Sequence, residues 1–101
     1  AKTGPIIRGQ FFRIPYGTSI RKTKQVLLKS IEGIKGVRRL PEPMVLVMES
    51  SESWITLKLI YYIDDFGRQF LINDEVLTAA LEALNHEHIN LAPPRLSISK
   101  D

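Results

Sequence analysis

Apolar residues recur along this chain with two different periods, and the places where the period changes mark out its elements. From Gln10 to Tyr16 the alternation sets Phe12, Ile14 and Tyr16 on one side and Phe11 and Arg13 on the other, the two-residue repeat of a strand. After Gly17-Thr18-Ser19 the repeat lengthens. Ile20, Thr23, Leu27, Ile31 and Ile34 follow at steps of three and four, which predicts a helix over 20–34 with one mostly apolar face. Thr18 or Ser19 offers the N-cap hydroxyl, and Gly33 and Gly36 bracket the stop. Pro41-Glu42-Pro43 forces an extended connection into a second strand at 44–49, where Val45 and Val47 oppose Leu46 and Met48.

Ser50-Ser51-Glu52-Ser53 reads as a hairpin turn. The third strand, 54–63, alternates again: Ile55, Leu57, Leu59 and Tyr61 form the core side, while Trp54, Thr56, Lys58, Ile60 and Tyr62 form a side that is only half polar. Asp64-Asp65-Phe66-Gly67-Arg68 makes a loop. A second helix then runs to about Glu87 with Leu77, Ala80, Leu81 and Leu84 as its buried stripe. Asn73 before Asp74 and Glu75 reads as its capped start, with Gln69 to Ile72 as an alternative first turn. After the Pro-punctuated stretch Ile89 to Pro94, Leu96 to Ser99 is a short last strand.

The order is β-α-β-β-α-β, which predicts an α+β, ferredoxin-like fold: a four-stranded antiparallel sheet with both helices on one face. Residues 1–9, with Gly4-Pro5, are a linker or the end of a preceding domain, and 10–101 are the ferredoxin-like domain.

A chain of 101 residues with 44% apolar content builds one core rather than two. It holds no Cys, which excludes disulfides, thiolate metal sites and thiol nucleophiles. No stretch approaches the roughly 20 apolar residues of a membrane-spanning helix. The chain opens at Ala1 without a charged-then-apolar leader, which fits a part excised from something longer.

The net charge of +3 conceals an asymmetry. Residues 1–40 carry ten Lys/Arg and one acid, a net +9, whereas residues 41–101 carry four Lys/Arg and ten acids, a net −6. Such halves attract an anionic partner or pair one copy with the next, unless they interleave in one fold and largely neutralise each other, as is expected of this chain. Arg21, Lys22 and Lys24 crowd the start of the first helix, where the dipole favours anions, so an anionic partner or a nearby acid would relieve them.

Catalytic candidates are thin. His86 and His88 stand two apart near a helix end and point in different directions, with no third ligand in sequence, so no metal and no cofactor is expected. Asp64-Asp65 reads as a solvated turn, and Gly33-Ile34-Lys35-Gly36 lacks the spacing and the Lys-Ser/Thr ending of a phosphate loop. An enzyme is the least supported class. A ferredoxin-like sheet can also bind RNA through aromatics on its open face, here Phe11, Trp54 and Tyr62 among Arg13, Lys58, Leu46, Met48 and Ile60. The Gly-aromatic spelling of an RNA-recognition motif is missing, so no nucleic-acid partner is expected, and the apolar members of the face suggest cover by an adjoining domain or subunit.

The turn Tyr16-Gly17-Thr18-Ser19-Ile20 resembles the Tyr-Gly-Thr/Ser-Asp-Ile/Leu turn that opens the carboxy-terminal α/β domain of the small-conductance mechanosensitive (MscS-type) channel family. Lys24-Gln25-Val26-Leu27 is similar to that family's first helix, Ile34-Lys35-Gly36-Val37 to its close, and Pro41-Glu42-Pro43-Met44-Val45 to the lead into its second strand. Ser53 to Tyr62 resembles the strand after the hairpin, and Ile89-Asn90-Leu91-Ala92-Pro93-Pro94-Arg95 its approach to the last strand. The departures are Ser19 for Asp, His88 for Gly, Ala92 for Pro and Arg95 for Gln.

The resemblance implies a domain without catalysis, on the cytoplasmic side of a cell-membrane channel that opens under tension, commonly a heptamer. Its partners would be other subunits of the same channel, and the membrane through helices upstream. It implies a role in oligomer assembly and in the wall of a cytoplasmic vestibule, with Arg21, Lys22, Lys24, Lys29, Trp54 and Tyr62 as assembly or portal-lining residues. The alternative is a ferredoxin-like module that binds a ligand or nucleic acid.

Overall fold

The computed structural model describes residues 4–92, which form three strands and two α-helices: β1 (Ile6–Pro15), α1 (Ile20–Ser30), β2 (Met44–Ser50), β3 (Trp54–Ile63) and α2 (Gln69–His86). A single 3-10 turn, Phe66–Arg68, leads directly into α2. The sheet is antiparallel in the order β1-β3-β2, with β3 central. The last strand expected at Leu96–Ser99 lies outside the described residues.

Period two on the strands and period 3.6 on the helices converge on one core. Phe12, Ile14, Val45, Ile55, Leu57, Leu59, Tyr61 and Ile63 from the sheet meet Leu27, Ile31, Ile72, Val76, Ala80 and Leu84 from the helical layer in a single buried cluster. Both helices therefore cover the same side of the sheet, the one carrying the odd-numbered residues of β3.

Several boundaries move. β1 begins at Ile6 rather than Gln10, because Ile6 to Gly9 continue the ladder against Ile60 to Ile63. Tyr16 falls just past the strand and is half exposed; its hydroxyl donates to the Ser51 carbonyl, tying the end of β1 to the β2–β3 hairpin. The Ser19 hydroxyl caps α1 as expected, accepting from the Lys22 amide at 3.1 Å. The helix ends at Ser30, four residues before Ile34, because the chain turns through Gly33 at φ 85°, a left-handed conformation that only glycine enters at no steric cost.

α2 begins at Gln69, so the alternative first turn from Gln69 to Ile72 is helical and Asn73 is not the cap. Asn73 is an interior helical residue, and its side chain accepts the Tyr61 hydroxyl proton at 2.6 Å. The expected stripe is also rotated: Ile72, Val76, Ala80 and Leu84 are buried, whereas Leu81 is 43% exposed. On β2 only Val45 is buried. Val47 sits at the sheet edge, beside a bulge between Val47 and Glu49, and stays 44% exposed.

The exit from α2 forms a Schellman cap, with the Ile89 amide donating to the Leu84 carbonyl at 2.9 Å and the His88 amide to that of Asn85 at 3.0 Å. His88 occupies the left-handed position at φ 60°, a conformation that costs an L-residue roughly 1–2 kcal/mol. His88→Gly is expected to stabilise the domain by about 1 kcal/mol, raising Tm by roughly 4–8 °C in a thermal melt.

Tyr61 is fully buried and sits in the middle of a polar chain: the Gln10 amide donates to its hydroxyl at 3.0 Å, and the hydroxyl donates on to Asn73. Burial raises its pKa above the ordinary 10.0, against smaller lowering effects of the Gln10 hydrogen bond and the Arg8 charge. A raised folded-state pKa means that this group's contribution is intact below pH 10 and is lost as pH climbs through the folded value, because the unfolded phenol ionises first. The denaturant midpoint is expected to fall above pH 10, less steeply in Tyr61→Phe than in the unsubstituted chain. Tyr61→Phe also orphans Asn73 and Gln10 and is expected to cost about 1–3 kcal/mol at neutral pH.

An uncovered sheet face and a cationic helix

The sheet side that faces away from the helices carries a second set of side chains in register. One row runs Phe11–Lys58–Leu46, and the next runs Gly9–Ile60–Met44. Lys58 lies across Gly9, where an added Cβ would stand 2.4 Å from its Cε, and its ammonium sits 5.2 Å from the centre of the Phe11 ring. Arg13 stacks over Trp54 at 5.1 Å. Around these cations the face is largely apolar, with Ile7 56%, Phe11 58% and Leu46 41% exposed on the flanking strands, while on the central strand Thr56 is buried and Ile60 and Tyr62 are half-buried. Exposed aromatic and aliphatic side chains in contiguous rows mark a surface built to be covered.

The residues singled out in the sequence fall in two places. Trp54 and Tyr62 lie on this outer face, both half-buried. Arg21, Lys22, Lys24 and Lys29 lie on α1, in the layer on the other side of the sheet, so the six do not make one site. Lys22 reaches Glu87 at the end of α2 at 3.5 Å, the nearby acid that the crowded start of α1 called for. Arg21, Lys24 and Lys29 have no ion-pair partner among the described residues. A second contact joins the two oppositely charged halves: Arg38 grips both carboxylate oxygens of Asp64 at 2.8 and 3.0 Å while its Nε donates to the Leu40 carbonyl. Asp64 is thereby a structural acceptor.

A groove of about 750 Å³ lies between the end of α1 and the 33–43 segment. Its lining carries Glu32 and Glu42 beside Lys35, Arg38 and Arg39, and Arg38 is already paired with Asp64. Among the described residues no group of three His, Cys, Asp or Glu is placed to hold a metal, and no helix is long and apolar enough to cross a membrane.

A different feature escaped the sequence reading. A solvent-facing side of α2 carries Phe70 and Leu81 with Asp74 between them, beside Leu77, which packs partly against the core; Phe70 is 76% and Leu81 43% exposed. The signal was present, since helix 2 has more apolar residues than one stripe needs.

Comparisons with solved structures place the fold among channel domains. Helicobacter pylori MscS in its closed state is similar with a TM-score of 0.81 at 14% identity, covering 98% of this chain and 39% of the channel chain. A variant of Arabidopsis thaliana MSL1 gives 0.74 at 14% identity over 92% and 37%, and MSL1 itself 0.63 at 18% over 87% and 34%. This chain thus spans less than two-fifths of the length of these channels. A comparison with curated protein sequences finds no match. The family model for the C-terminal part of the MscS mechanosensitive ion channel matches residues 12–91, from the middle of β1 to the segment after the Schellman cap. The chain belongs to the MscS mechanosensitive ion channel C-terminal family.

Proposed function

We propose that this chain is the membrane-extrinsic, cytoplasmic-side module of a tension-gated channel of the MscS type, where it takes part in subunit assembly and in the wall of a vestibule without catalysing a reaction. The family match over residues 12–91 supports the channel context. The observation that carries the assembly role is the outer sheet face, whose rows of exposed Phe11, Leu46 and Ile7 a solitary domain has no use for. Arg21 and Lys29, exposed on α1, bias permeating ions by their local potential at the vestibule wall.

The finer architecture belongs to the same reading. β1 is an edge of the described sheet, and the Ala92 amide donates to the Arg13 carbonyl at 2.8 Å, bringing the chain to that edge. A fourth strand laid there by the following residues completes the ferredoxin-like order. In the full-length protein the module sits in a ring of identical subunits, a heptamer in the form the family resemblance suggests, tethered to the membrane by upstream helices.

The test is a chimera: this chain replaces the corresponding C-terminal portion of the H. pylori channel, and the product is examined for particle size and for currents under membrane tension. Ring-shaped oligomers with tension-activated currents are expected. A chimera that reaches the membrane only as monomers would overturn the reading.

A further inference from the structure

Two unpartnered surfaces of this domain are complementary, and they lie on opposite sides of it. The outer sheet face carries Arg13 over Trp54 and, at its centre, Lys58, a cation that lies across Gly9 with its ammonium 5.2 Å from the centre of the Phe11 ring and that has no ion-pair partner among the described residues; the acid on that face, Glu49, stands at its margin opposite Thr56. The outward side of α2 is apolar around Asp74, a carboxylate likewise without an ion-pair partner there, flanked by exposed Phe70 and Leu81. Lys58 and Asp74 thus carry opposite charges among apolar side chains, and neither has an ion-pair partner among the described residues.

We infer that α2 of one copy lies on the outer sheet face of the next, with Asp74 of the second copy meeting Lys58 and its Phe70 and Leu81 covering Phe11 and Leu46. This inference rests on the assembly reading above and names the two surfaces involved. A helix laid on a sheet side already half apolar repeats the packing that α2 itself makes on the inner side, so both layers of the domain end up sandwiched. The contact is heterologous: a copy that gives its helix on one side still offers its sheet on the other. Repetition then generates a closed ring or an open filament rather than a two-fold dimer. Opposite charges buried between apolar flanks also fix the register, because a slipped helix would leave both unpaired.

The experiment uses charge reversal and the absence of native Cys. Lys58→Glu and Asp74→Lys are each expected to lower concentration-dependent self-association of the chain at least tenfold by sedimentation, and an equimolar mixture of the two to restore it, since each variant then supplies the surface the other has lost. Because Lys58 is half-buried, Lys58→Gln, with folding checked by circular dichroism, accompanies it as a milder version. In parallel, a Leu46→Cys chain mixed with a Leu81→Cys chain is oxidised. A cross-linked pair is expected, diminished by Asp74→Lys on the helix partner and absent when the second Cys is placed in the hairpin turn at Glu52. Failure of both the mixture rescue and the cross-link, including at millimolar protein, would overturn the inference. If the chimera above still assembled, the assembly role would stand with a different occupant on the sheet face; if it did not, both readings would fall.

Discussion

Leu57→Ala is expected to lower the stability of the domain by about 2–5 kcal/mol, enough to unfold much of the population of a domain this small at 37 °C. Leu57 sits at the middle of the central strand, is fully buried, and faces Phe12 on β1 and Val47 on β2. Truncating it removes apolar contacts with the helical layer and leaves a cavity that neighbours on three strands cannot collapse to fill. Phe11→Ala, one register position away on the opposite side of the sheet, is expected to change monomer stability by less than about 1 kcal/mol, because Phe11 is 58% exposed. Chemical denaturation of the two variants side by side checks which face is the core. Equal costs would mean that the outer face is already covered within one chain and is not offered to a partner.

Gly36→Ala is expected to cost about 1–3 kcal/mol, although Ala is the smallest possible addition. The Gly36 backbone passes so close to α2 that a Cβ there would lie 2.5 and 2.6 Å from two carbons of Ile72, and Ile72 is itself buried at 3% exposure and stiff at its branched Cβ. Neither side can give way without moving the helix. The prediction carries its own control: in an Ile72→Ala background the collision disappears, so the Gly36→Ala penalty should fall below about 0.5 kcal/mol, a coupling that a double-mutant cycle measures directly. A penalty unchanged in that background would place the cost in the backbone conformation rather than in the contact. The position also explains the spelling Ile34-Lys35-Gly36-Val37: beyond helix termination, the chain must pass beneath α2 to bring Val37 against Ile63 and the Arg38 amide to the Tyr62 carbonyl at 2.8 Å.

Much of this could be read from the residues alone. The alternation from Trp54 to Ile63 gave both faces of β3, because period two allows only one division of a strand into sides. Ser19 as a cap and the stop near Gly33 followed from local chemistry, a hydroxyl within reach of an amide and a residue without Cβ. The turn spellings, taken in order, led to the channel family that residues 12–91 match. What failed did so where a distant contact overrode a local signal. Asn73 has an ideal capping side chain followed by two acids, yet it lies inside α2, because the Tyr61 hydroxyl supplies a buried partner that no local pattern reveals. Leu81 obeys the helical period and still faces outward, because the sheet meets α2 along the 72-76-80-84 line.

Among the described residues, the sequence by itself determined which segments are strands and helices, that they share one core, and the kind of channel domain they build, since periodicity and turn chemistry act over a few residues. Only the tertiary structure decided how those elements rotate about their axes and which charges meet. It pairs Lys22 with Glu87 and Arg38 with Asp64 across the two halves, and it leaves Lys58 and Asp74 on opposite exteriors. Rotation and ion pairing depend on side chains far apart in the chain, whose approach is set by how all the layers fit at once rather than by any neighbour in sequence.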